Sequence, residues 1–330
     1  MVSLDQIDVK PFYSQCVQCP KQCKVDRENS LGFCRESSTL RMAFAGLHFG
    51  EEPLITVKGG SGTIFFTGCT LRCAFCQNYQ ISQEGYGKEV SVEEFAKVCL
   101  ELQENGAENI NLVTASHHIP LVAKGIYLAK KMGVYIPFCW NSSAYESTKM
   151  LELLKGLVTI WLPDLKTLNS ELAKKLFHAP DYPEVATKAI KWMIANSPLR
   201  IKCEKENEKM YSGVIVRHLF MPGKFEETSQ VLSWLKENAD TKACISLMNQ
   251  YTPVPFAKDS KNLKERKAAL KAIENRLVTK EEDEDIQDLI CAYDFEYLFY
   301  QELSNDTSWL PDFKKLQPFS NALAKPIWHA

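Results

Sequence analysis

The sequence predicts an α/β fold with parallel strands, arranged either as a barrel or as a doubly wound sheet. From about residue 62 to residue 250, short apolar runs of strand length alternate with longer amphipathic stretches of helix length. This alternation is typical of strands joined by crossover helices, which makes neighbouring strands parallel. The chain has 330 residues, 45% of them hydrophobic, which is enough for one large domain or two ordinary ones.

Six strand candidates follow one another in this region: Thr63–Thr67, Asn109–Val113, Val134–Trp140, Leu157–Leu162, Gly213–Phe220 and Ala243–Met248. The stretches between them predict helices: residues 91–104, Ile119–Met132, Tyr145–Leu154, further helical turns up to Ala195, and Glu227–Asn238. Ser91 and Glu94 have the spacing of a capping box, which favours a helix start at this point.

The two ends of the chain differ from this central region, residues 51–255. Residues 1–50 are rich in cysteine and charge and predict a small N-terminal metal-binding module. Residues 256–330 predict a C-terminal helical and strand extension that packs on the centre. It contains a basic stretch, Lys261–Arg276, an acidic helix capped by Thr279, a strand candidate, Phe295–Gln301, and a turn-rich end, Pro311–Ala330, expected to wrap the surface. The basic stretch predicts a solvated helix face or a docking surface for an acidic partner.

Bulk properties exclude some classes of protein. The formal net charge of −2 argues against a nucleic-acid-coating protein. A membrane-spanning helix needs roughly 20 apolar residues, and the apolar runs here are shorter. The segment Met1–Lys10 lacks the apolar core of a signal peptide. We therefore expect a cytoplasmic protein without membrane or nucleic-acid partners.

The 12 cysteines fall into distinct groups. Structural disulfides are rare in a reducing compartment, so grouped cysteines there favour metal ligands. Seven are grouped, as Cys16, Cys19, Cys23 and Cys34 and then as Cys69, Cys73 and Cys76. The other five are scattered and are expected to be small core residues: Cys99, Cys139, Cys203, Cys244 and Cys291.

The second group has the spacing C-x3-C-x2-C directly after the first strand candidate. Three thiolates on one loop can occupy three corners of a cubane cluster and leave the fourth iron open to a substrate or cofactor. Electron-transfer clusters usually have four cysteine ligands. The alternative, part of a zinc knuckle, lacks a nearby fourth cysteine or histidine.

This loop resembles the signature of the radical S-adenosylmethionine (SAM) superfamily, C-x3-C-x-aromatic-C, with Phe75 as the aromatic residue. The resemblance implies a 4Fe-4S cluster on Cys69, Cys73 and Cys76, with SAM bound to the open iron. One electron then cleaves SAM to methionine and a 5′-deoxyadenosyl radical, which takes hydrogen from a substrate. The fold it implies is a partial parallel (β/α)6 TIM-like barrel over residues 51–255.

Further motifs resemble the pyruvate formate-lyase activating enzyme-like subgroup of that superfamily. They are GSGTIFF at 60–66, CQNY at 76–79, NINLVT at 109–114, LPDLK at 162–166, VRHL at 216–219 and QYTP at 250–253. This resemblance implies a glycyl-radical activase-like oxidoreductase whose substrate is a glycine of a partner enzyme. It also implies a reductant protein such as flavodoxin or ferredoxin. A different peptide or small molecule is an alternative substrate.

Each strand candidate ends in polar residues, and in a barrel these ends meet at one rim. With the resemblance, this rim implies cofactor-binding positions at Phe75, Asn78, Thr114, Ser116, Asn141, Ser143, Asp164, Lys166 and Arg217. A guanidinium matches a carboxylate, so Arg217 could pair with the SAM carboxylate or form a structural ion pair. Asp164 and Lys166, two apart on an extended segment, could line the mouth or pair with each other.

The chain departs from the activating enzymes after the second strand. Those enzymes carry Gly-Gly-Glu there, which contacts the SAM amino group, whereas residues 114–118 read Thr-Ala-Ser-His-His. We therefore expect Thr114 or Ser116 to hold this amino group. Asn141 stands where the activating enzymes have aspartate. His117 and His118 could transfer protons, orient a substrate or simply be hydrogen-bonded.

The first cysteine group, Cys16, Cys19, Cys23 and Cys34, suits a tetrahedral site. Zinc and an auxiliary Fe-S cluster are both compatible with four thiolates. A competing class for the whole chain is a non-catalytic iron-sulfur electron-transfer or metal-binding protein. The open three-cysteine arrangement and the polar rim favour the enzyme.

Overall fold

The computed structural model describes residues 7–204, 207–304, 307, 309–320 and 322–330. Over these residues the strands are β1 (Arg41–His48), β2 (Ser61–Phe66), β3 (Lys88–Glu89), β4 (Ile110–Val113), β5 (Phe138–Ser142), β6 (Ile160–Pro163), β7 (Arg200–Glu204), β8 (Asn207–Leu219), β9 (Cys244–Met248), β10 (Leu298–Gln301) and β11 (Ala324–His329). Residues 1–6, part of the predicted N-terminal module, lie outside the described residues, as does residue 321 of the predicted turn-rich end.

The α-helices are α1 (Pro11–Ser14), α2 (Tyr79–Ser82), α3 (Val92–Glu104), α4 (Ile119–Lys131), α5 (Thr148–Leu151), α6 (Ser170–Phe177), α7 (Tyr182–Asn196), α8 (Phe225–Asn238), α9 (Leu263–Ala269) and α10 (Lys280–Tyr293). Two 3₁₀ turns, Glu152–Leu154 and Leu270–Ala272, follow α5 and α9. No helix within the described ranges is long and apolar enough to cross a membrane.

Parallel strands form the centre of the molecule, as the sequence predicts. The order is β10-β9-β8-β6-β5-β4-β2-β1-β11, and β2 to β10 along this path run parallel to their neighbours. Residues of β2, β5 and β6 are buried throughout because both faces of a parallel sheet are covered. The α/β class with a mostly parallel sheet is therefore confirmed.

Two features of the sheet differ from the sequence prediction. The candidate at 295–301, assigned to the C-terminal extension, forms β10 beside β9, so the described residues contain seven parallel strands and not six. β1, inside the cysteine-rich segment 1–50, pairs antiparallel with β2 and β11. β10 and β11 are the edges of this path, and no described pairing joins them. Closure toward a barrel stays a prediction.

The helix starts follow local capping chemistry. The Ser91 hydroxyl accepts the Glu94 amide at 3.0 Å, which fixes the first turn of α3 where the sequence predicts it. At α10 the capping box is complete: Thr279 accepts the amide of Glu282, and the Glu282 carboxylate accepts the amide of Thr279. These caps satisfy amides that would otherwise lack a partner at the helix start.

The C-terminal residues do more than wrap the surface. Phe313 is buried, and its ring contacts those of Phe65 and Phe319. The Gln80 side chain bonds both the amide of Phe313 and the carboxylate of Asp312. The end of the chain therefore packs directly beside the segment that follows the cysteine loop.

Candidate active site at the cysteine loop

The three cysteines of the C-x3-C-x2-C motif lie on one loop that follows β2. Gly68, with φ of +74°, turns the chain out of the strand, a conformation that glycine adopts without strain. Cys69 and Cys73 are buried and Cys76 is half-buried. The amides of Leu71 and Arg72 donate to the Cys69 Sγ at 3.4 and 3.5 Å. Backbone donors aimed at a sulfur stabilise its thiolate form.

The environment of these thiols fits an iron-sulfur cluster. Burial raises the pKa of the Cys73 thiol, Lys166 lowers it, and the neighbouring Cys69 and Cys76 raise it further. Burial likewise raises the pKa of Cys76, whose Sγ lies 3.3 Å from the Ser82 Oγ. Because burial opposes the ionisation of both Cys73 and Cys76, these two neighbouring thiols need a cation to become thiolates together. Among the described residues, no three Cys, His, Asp or Glu side chains have the geometry for a single metal ion. A cubane does not require that geometry, because each thiolate binds its own iron.

A buried ion-pair network lies at the strand ends beside this loop. Asp164 accepts from the Lys166 Nζ at 2.7 Å and from the Arg217 Nε at 2.9 Å. The Arg217 Nη2 also donates to the Asn141 Oδ1 at 2.5 Å. Burial alone would raise the pKa of Asp164, but Arg217 and Lys166 hold it below its usual value. The structure thus brings together four predicted site residues; a bond from Arg217 to a SAM carboxylate stays a prediction.

Two carboxylates of this network were not found from the sequence. Glu51 and Glu52, which follow β1, lie 3.9 Å from the Arg217 guanidinium. Burial raises the pKa of Glu52 to about 7; Arg217 opposes this shift and Glu51 adds to it. No local sequence pattern marked Glu51 and Glu52 as site residues. They reach Arg217 through the pairing of β1 with β2, and this pairing had not been predicted.

Glu146 was also not predicted from the sequence, and its side chain accepts a hydrogen bond from Ser116, a predicted site residue. Its carboxylate accepts the Ser116 hydroxyl at 2.6 Å, the Trp140 indole N–H at 2.5 Å and the Ser142 hydroxyl at 2.9 Å. Burial raises the pKa of Glu146, and these three donors oppose the rise. Ser116 is thus engaged with Glu146, and its predicted role toward a SAM amino group is untested.

The remaining predicted rim residues lie on the loop segment or just after β4 and β5. Thr114 has a φ of +61°, and its amide donates to the Asn141 carbonyl at 2.9 Å. The Phe75 ring lies 6.2 Å from those of both Phe177 and Tyr251. Asn78 precedes α2, and its buried Oδ1 has no hydrogen-bond partner among the described residues. Ser143 is half-buried just after β5.

The four N-terminal cysteines also come close to one another. Cys16, Cys19 and Cys34 are buried and Cys23 is half-buried. A Cβ on Gly32 would lie 3.1 Å from the Cys34 Sγ and 3.7 Å from the Cys23 Sγ, so both thiols flank this glycine. Burial raises the pKa of Cys19 to about 12 and that of Cys34 to about 11. In the described part of the chain these thiols are not arranged around a single metal ion, and the metal they are predicted to hold stays a prediction.

The two histidines after β4 attach this segment to the sheet. Arg27 is fully buried and donates to the carbonyls of His117 at 2.6 Å, Ser37 at 2.6 Å and Glu36 at 3.1 Å. His118 contacts Arg27 through its Nε2 at 3.2 Å and the Tyr13 hydroxyl through its Nδ1 at 3.0 Å. Burial and the Arg27 charge lower the pKa of both histidines. The ring contacts of His118 support a structural role over the predicted alternative of proton transfer. Both ring nitrogens of His117 are buried without a hydrogen-bond partner among the described residues, and its role stays a prediction.

The scattered cysteines behave only partly as predicted. Cys99, Cys139 and Cys244 are buried core residues, as expected. Cys203 and Cys291 are exposed, which corrects the prediction for these two. Cys203 lies in β7, which pairs only with β8 among the described strands, and Cys291 lies on an exposed part of α10.

Comparison with known proteins agrees with this geometry. The family model of the radical SAM superfamily matches residues 63–201, which include most of β2, the cysteine loop and β3 to β6. An uncharacterized protein of Methanocaldococcus jannaschii is 30% identical over 302 residues, covering 88% of this chain and 78% of its own.

Solved structures show lower similarity. Streptococcus suis SuiB, in complex with the precursor peptide SuiA, shares 13% identity and a TM-score of 0.48 over 71% of this chain. This chain spans only 46% of SuiB. A radical SAM methyltransferase from Sphaerobacter thermophilus has 13% identity and a TM-score of 0.48, over 75% of this chain and 68% of its own.

The fold, the cysteine loop and the family match define a radical SAM superfamily enzyme, and the chain belongs to that superfamily. Members of the superfamily use a 4Fe-4S cluster and SAM. This chain is also related to the Methanocaldococcus jannaschii protein, which it matches along most of its length.

Proposed function

We propose that this enzyme holds a 4Fe-4S cluster on Cys69, Cys73 and Cys76 and uses it to cleave SAM reductively. The observation that carries the proposal is the position of these thiols, together on one loop after β2 and inside the matched segment 63–201. With SAM bound, the cluster supplies the chemistry of a 5′-deoxyadenosyl radical that abstracts hydrogen. The protein supplies ligands, orientation and exclusion of water.

The residues near the loop suit these tasks. Lys166, which lowers the pKa of Cys73, stabilises negative charge on that sulfur. Asp164 pairs with both Lys166 and Arg217, which holds these two cations in fixed positions at the strand ends. Phe75, between Phe177 and Tyr251, keeps the loop in apolar surroundings. We assign cofactor binding to this rim, together with Asn78, Thr114, Ser116, Asn141 and Ser143.

We further propose that Cys16, Cys19, Cys23 and Cys34 bind a second metal centre, either zinc or an auxiliary Fe-S cluster. The Cys69 amide donates to the Cys34 carbonyl at 3.3 Å, so the two cysteine groups are adjacent. Metal analysis of the Cys69/Cys73/Cys76→Ala variant distinguishes the two metals. Zinc without sulfide supports the structural site, and iron with sulfide supports the auxiliary cluster. The absence of both overturns the assignment.

For the substrate we propose a glycine Cα of a partner enzyme, in an activase-like oxidoreductase reaction, with flavodoxin or ferredoxin as reductant. This proposal rests on the motif resemblance and on the cytoplasmic location expected from the sequence. A different peptide or small molecule is the alternative within the same chemistry. Anaerobic incubation with candidate partners, followed by EPR for a protein glycyl radical, tests the first choice. Hydrogen loss from another peptide or metabolite would favour the second.

The central experiment is anaerobic reconstitution with iron and sulfide, followed by dithionite and SAM. We expect 5′-deoxyadenosine from the wild type and none from the Cys69/Cys73/Cys76→Ala variant. Cys291→Ala, at an exposed cysteine outside both groups, is the matched control and should retain full product. A stable cluster that neither cleaves SAM nor changes its EPR signal with SAM would favour a non-catalytic electron carrier.

A further inference from the structure

One arginine near the cysteine loop is buried without a complete set of hydrogen-bond partners. Arg266, on α9, is only 3% exposed, whereas Lys264 and Lys267 on the same helix are exposed. The sequence had predicted a solvated face for this basic stretch, and Arg266 is the exception to it. A buried cation is strongly unfavourable unless it is paired and hydrogen-bonded. The burial of Arg266 therefore requires an explanation.

The contacts of Arg266 satisfy only part of its guanidinium. Its Nε donates to the Gln83 Oε1 at 3.2 Å, and the group lies 5.0 Å from the Tyr79 ring centre and 4.8 Å from that of Phe256. The buried Nη1 and Nη2 have no hydrogen-bond acceptor among the described residues. The two aromatic rings stabilise the positive charge of the guanidinium, but they do not serve as hydrogen-bond acceptors for Nη1 and Nη2.

The same contacts place Arg266 beside the cysteines. Tyr79 is the first residue of α2, which starts three residues after Cys76, and Gln83 directly follows this helix. The Gln83 Nε2 donates to the Cys73 carbonyl at 2.9 Å, so one side chain joins the guanidinium to the loop. Burial lowers the pKa of Arg266, and the neighbouring group that most opposes this shift is Cys76, followed by Glu84.

A second guanidinium reinforces the charge imbalance. Arg72, on the loop itself, has a buried Nε without a hydrogen-bond partner in the described residues. Burial lowers its pKa, and Arg35 and Arg266 lower it further, while Cys69 and Glu265 oppose them. No ion pair within 4 Å joins Arg72 or Arg266 to a described carboxylate. Glu84 and Glu265 lie near these cations, but among the described residues no carboxylate is hydrogen-bonded to either guanidinium.

We propose that Arg266 donates its free Nη protons to the sulfur atoms of the 4Fe-4S cluster on the Cys76 side and stabilises the reduced cluster. This inference rests on the proposed function. A cluster bound by three thiolates is negatively charged, and the electron it accepts increases that charge. Hydrogen bonds and nearby cations are among the factors that set cluster potentials. Arg266 would thus determine how easily the cluster is reduced.

The test compares three full-length proteins reconstituted under identical conditions: wild type, Arg266→Met and the matched control Lys267→Met. The measurement is the midpoint potential of the cluster by EPR-monitored redox titration without SAM. We expect Arg266→Met to make reduction at least tenfold less favourable, a shift of about 59 mV to lower potential for one electron. Lys267→Met should match the wild type, since Lys267 is exposed. An unchanged midpoint in Arg266→Met with normal iron content overturns the inference.

Thermal unfolding of the metal-free proteins separates this role from a structural one. Without the cluster, Arg266 is an unmatched buried charge, so metal-free Arg266→Met should be at least as stable as metal-free wild type. A lower unfolding temperature would assign Arg266 to packing alone and overturn the inference. If Arg266→Met fails to take up iron, the same comparison of unfolding temperatures shows whether lost stability of the metal-free protein is the cause. If the wild type itself takes up no cluster, the proposed function fails, which is a separate outcome.

Discussion

The amide nitrogen of Cys69 donates a hydrogen bond to the carbonyl oxygen of Cys34, with the two atoms 3.3 Å apart. The first cysteine of the loop is therefore attached to the last cysteine of the N-terminal group. Glu36, two residues later, accepts the Thr67 hydroxyl at 2.7 Å and lies 3.5 Å from Arg41. The N-terminal segment thus forms one wall of the proposed cluster site.

Gly68→Ala should disrupt this wall. A Cβ at Gly68 would lie 2.4 Å from the Glu36 Cγ and 2.8 Å from the Cys34 carbonyl oxygen, and its φ is +74°. We expect a loss of about 3 kcal/mol in the free energy of unfolding, from backbone strain and overpacking together. Denaturant unfolding of the metal-free protein measures this loss, and iron content after reconstitution should fall with it.

Gly106→Ala is the matched control for that substitution. Gly106 also has a positive φ, +96°, but a Cβ there would meet nothing within 4 Å. We expect Gly106→Ala to lose only about 1 kcal/mol in the free energy of unfolding, from backbone strain alone, and to keep a normal iron content. Equal losses in the two variants would mean that the contact with Glu36 and Cys34 contributes nothing.

Arg27→Met should loosen the N-terminal segment. Arg27 donates to three backbone carbonyls and contacts His118, so its loss leaves buried acceptors without partners. We expect about 3 kcal/mol of destabilisation and faster limited proteolysis within residues 7–40. The Lys24→Met variant, changed at an exposed position of the same segment, should be cleaved by the protease at the wild-type rate. Protection equal to wild type in Arg27→Met would contradict the anchoring role.

Glu146→Leu should be far more damaging than Ser116→Ala. Leucine would leave the buried Trp140 indole N–H and two serine hydroxyls without their acceptor, for a loss of about 3 kcal/mol. Ser116→Ala removes one of three donors and should lose about 1 kcal/mol. Urea unfolding measures both. Losses of similar size would show that the Glu146 carboxylate is not the centre of this network.

Glu52 should make stability depend on pH. Burial raises its folded pKa to about 7 from a usual value near 4.5, so the folded chain keeps a proton that the unfolded chain releases. Stability from this group is present below pH 4.5 and is lost as the pH rises toward 7. Relative to wild type, Glu52→Gln should therefore gain stability between pH 5 and pH 8, on the order of 2 kcal/mol.

The groups facing Glu52 are Glu51, Arg217 and His48. The His48 pKa is lowered to about 4 by burial, so this ring does not titrate in the tested range. Glu284→Gln, at an exposed carboxylate paired with Lys280, is the control and should show no such trend. A stability difference between Glu52→Gln and wild type that is constant with pH would refute the assignment.

The sequence by itself determined the parallel α/β class and the group of three cysteines on one loop. Both depend on local patterns: strand-length apolar runs alternate with amphipathic stretches, and the C-x3-C-x2-C spacing lies within eight residues. The caps at Ser91 and Thr279 are equally local and were found where predicted. The family match covers residues 63–201, the range that contains this cysteine motif.

Only the tertiary structure decided which distant residues meet. Glu51 and Glu52 reach Arg217 because β1 pairs antiparallel with β2, and Arg266 reaches the cysteine loop because α9 packs against α2 through Tyr79 and Gln83. Nothing in the local sequence separates Arg266 from the exposed lysines on its helix. The physical reason is that burial and partner choice for a charged side chain depend on long-range packing, whereas strands, caps and loop motifs depend on neighbours along the chain.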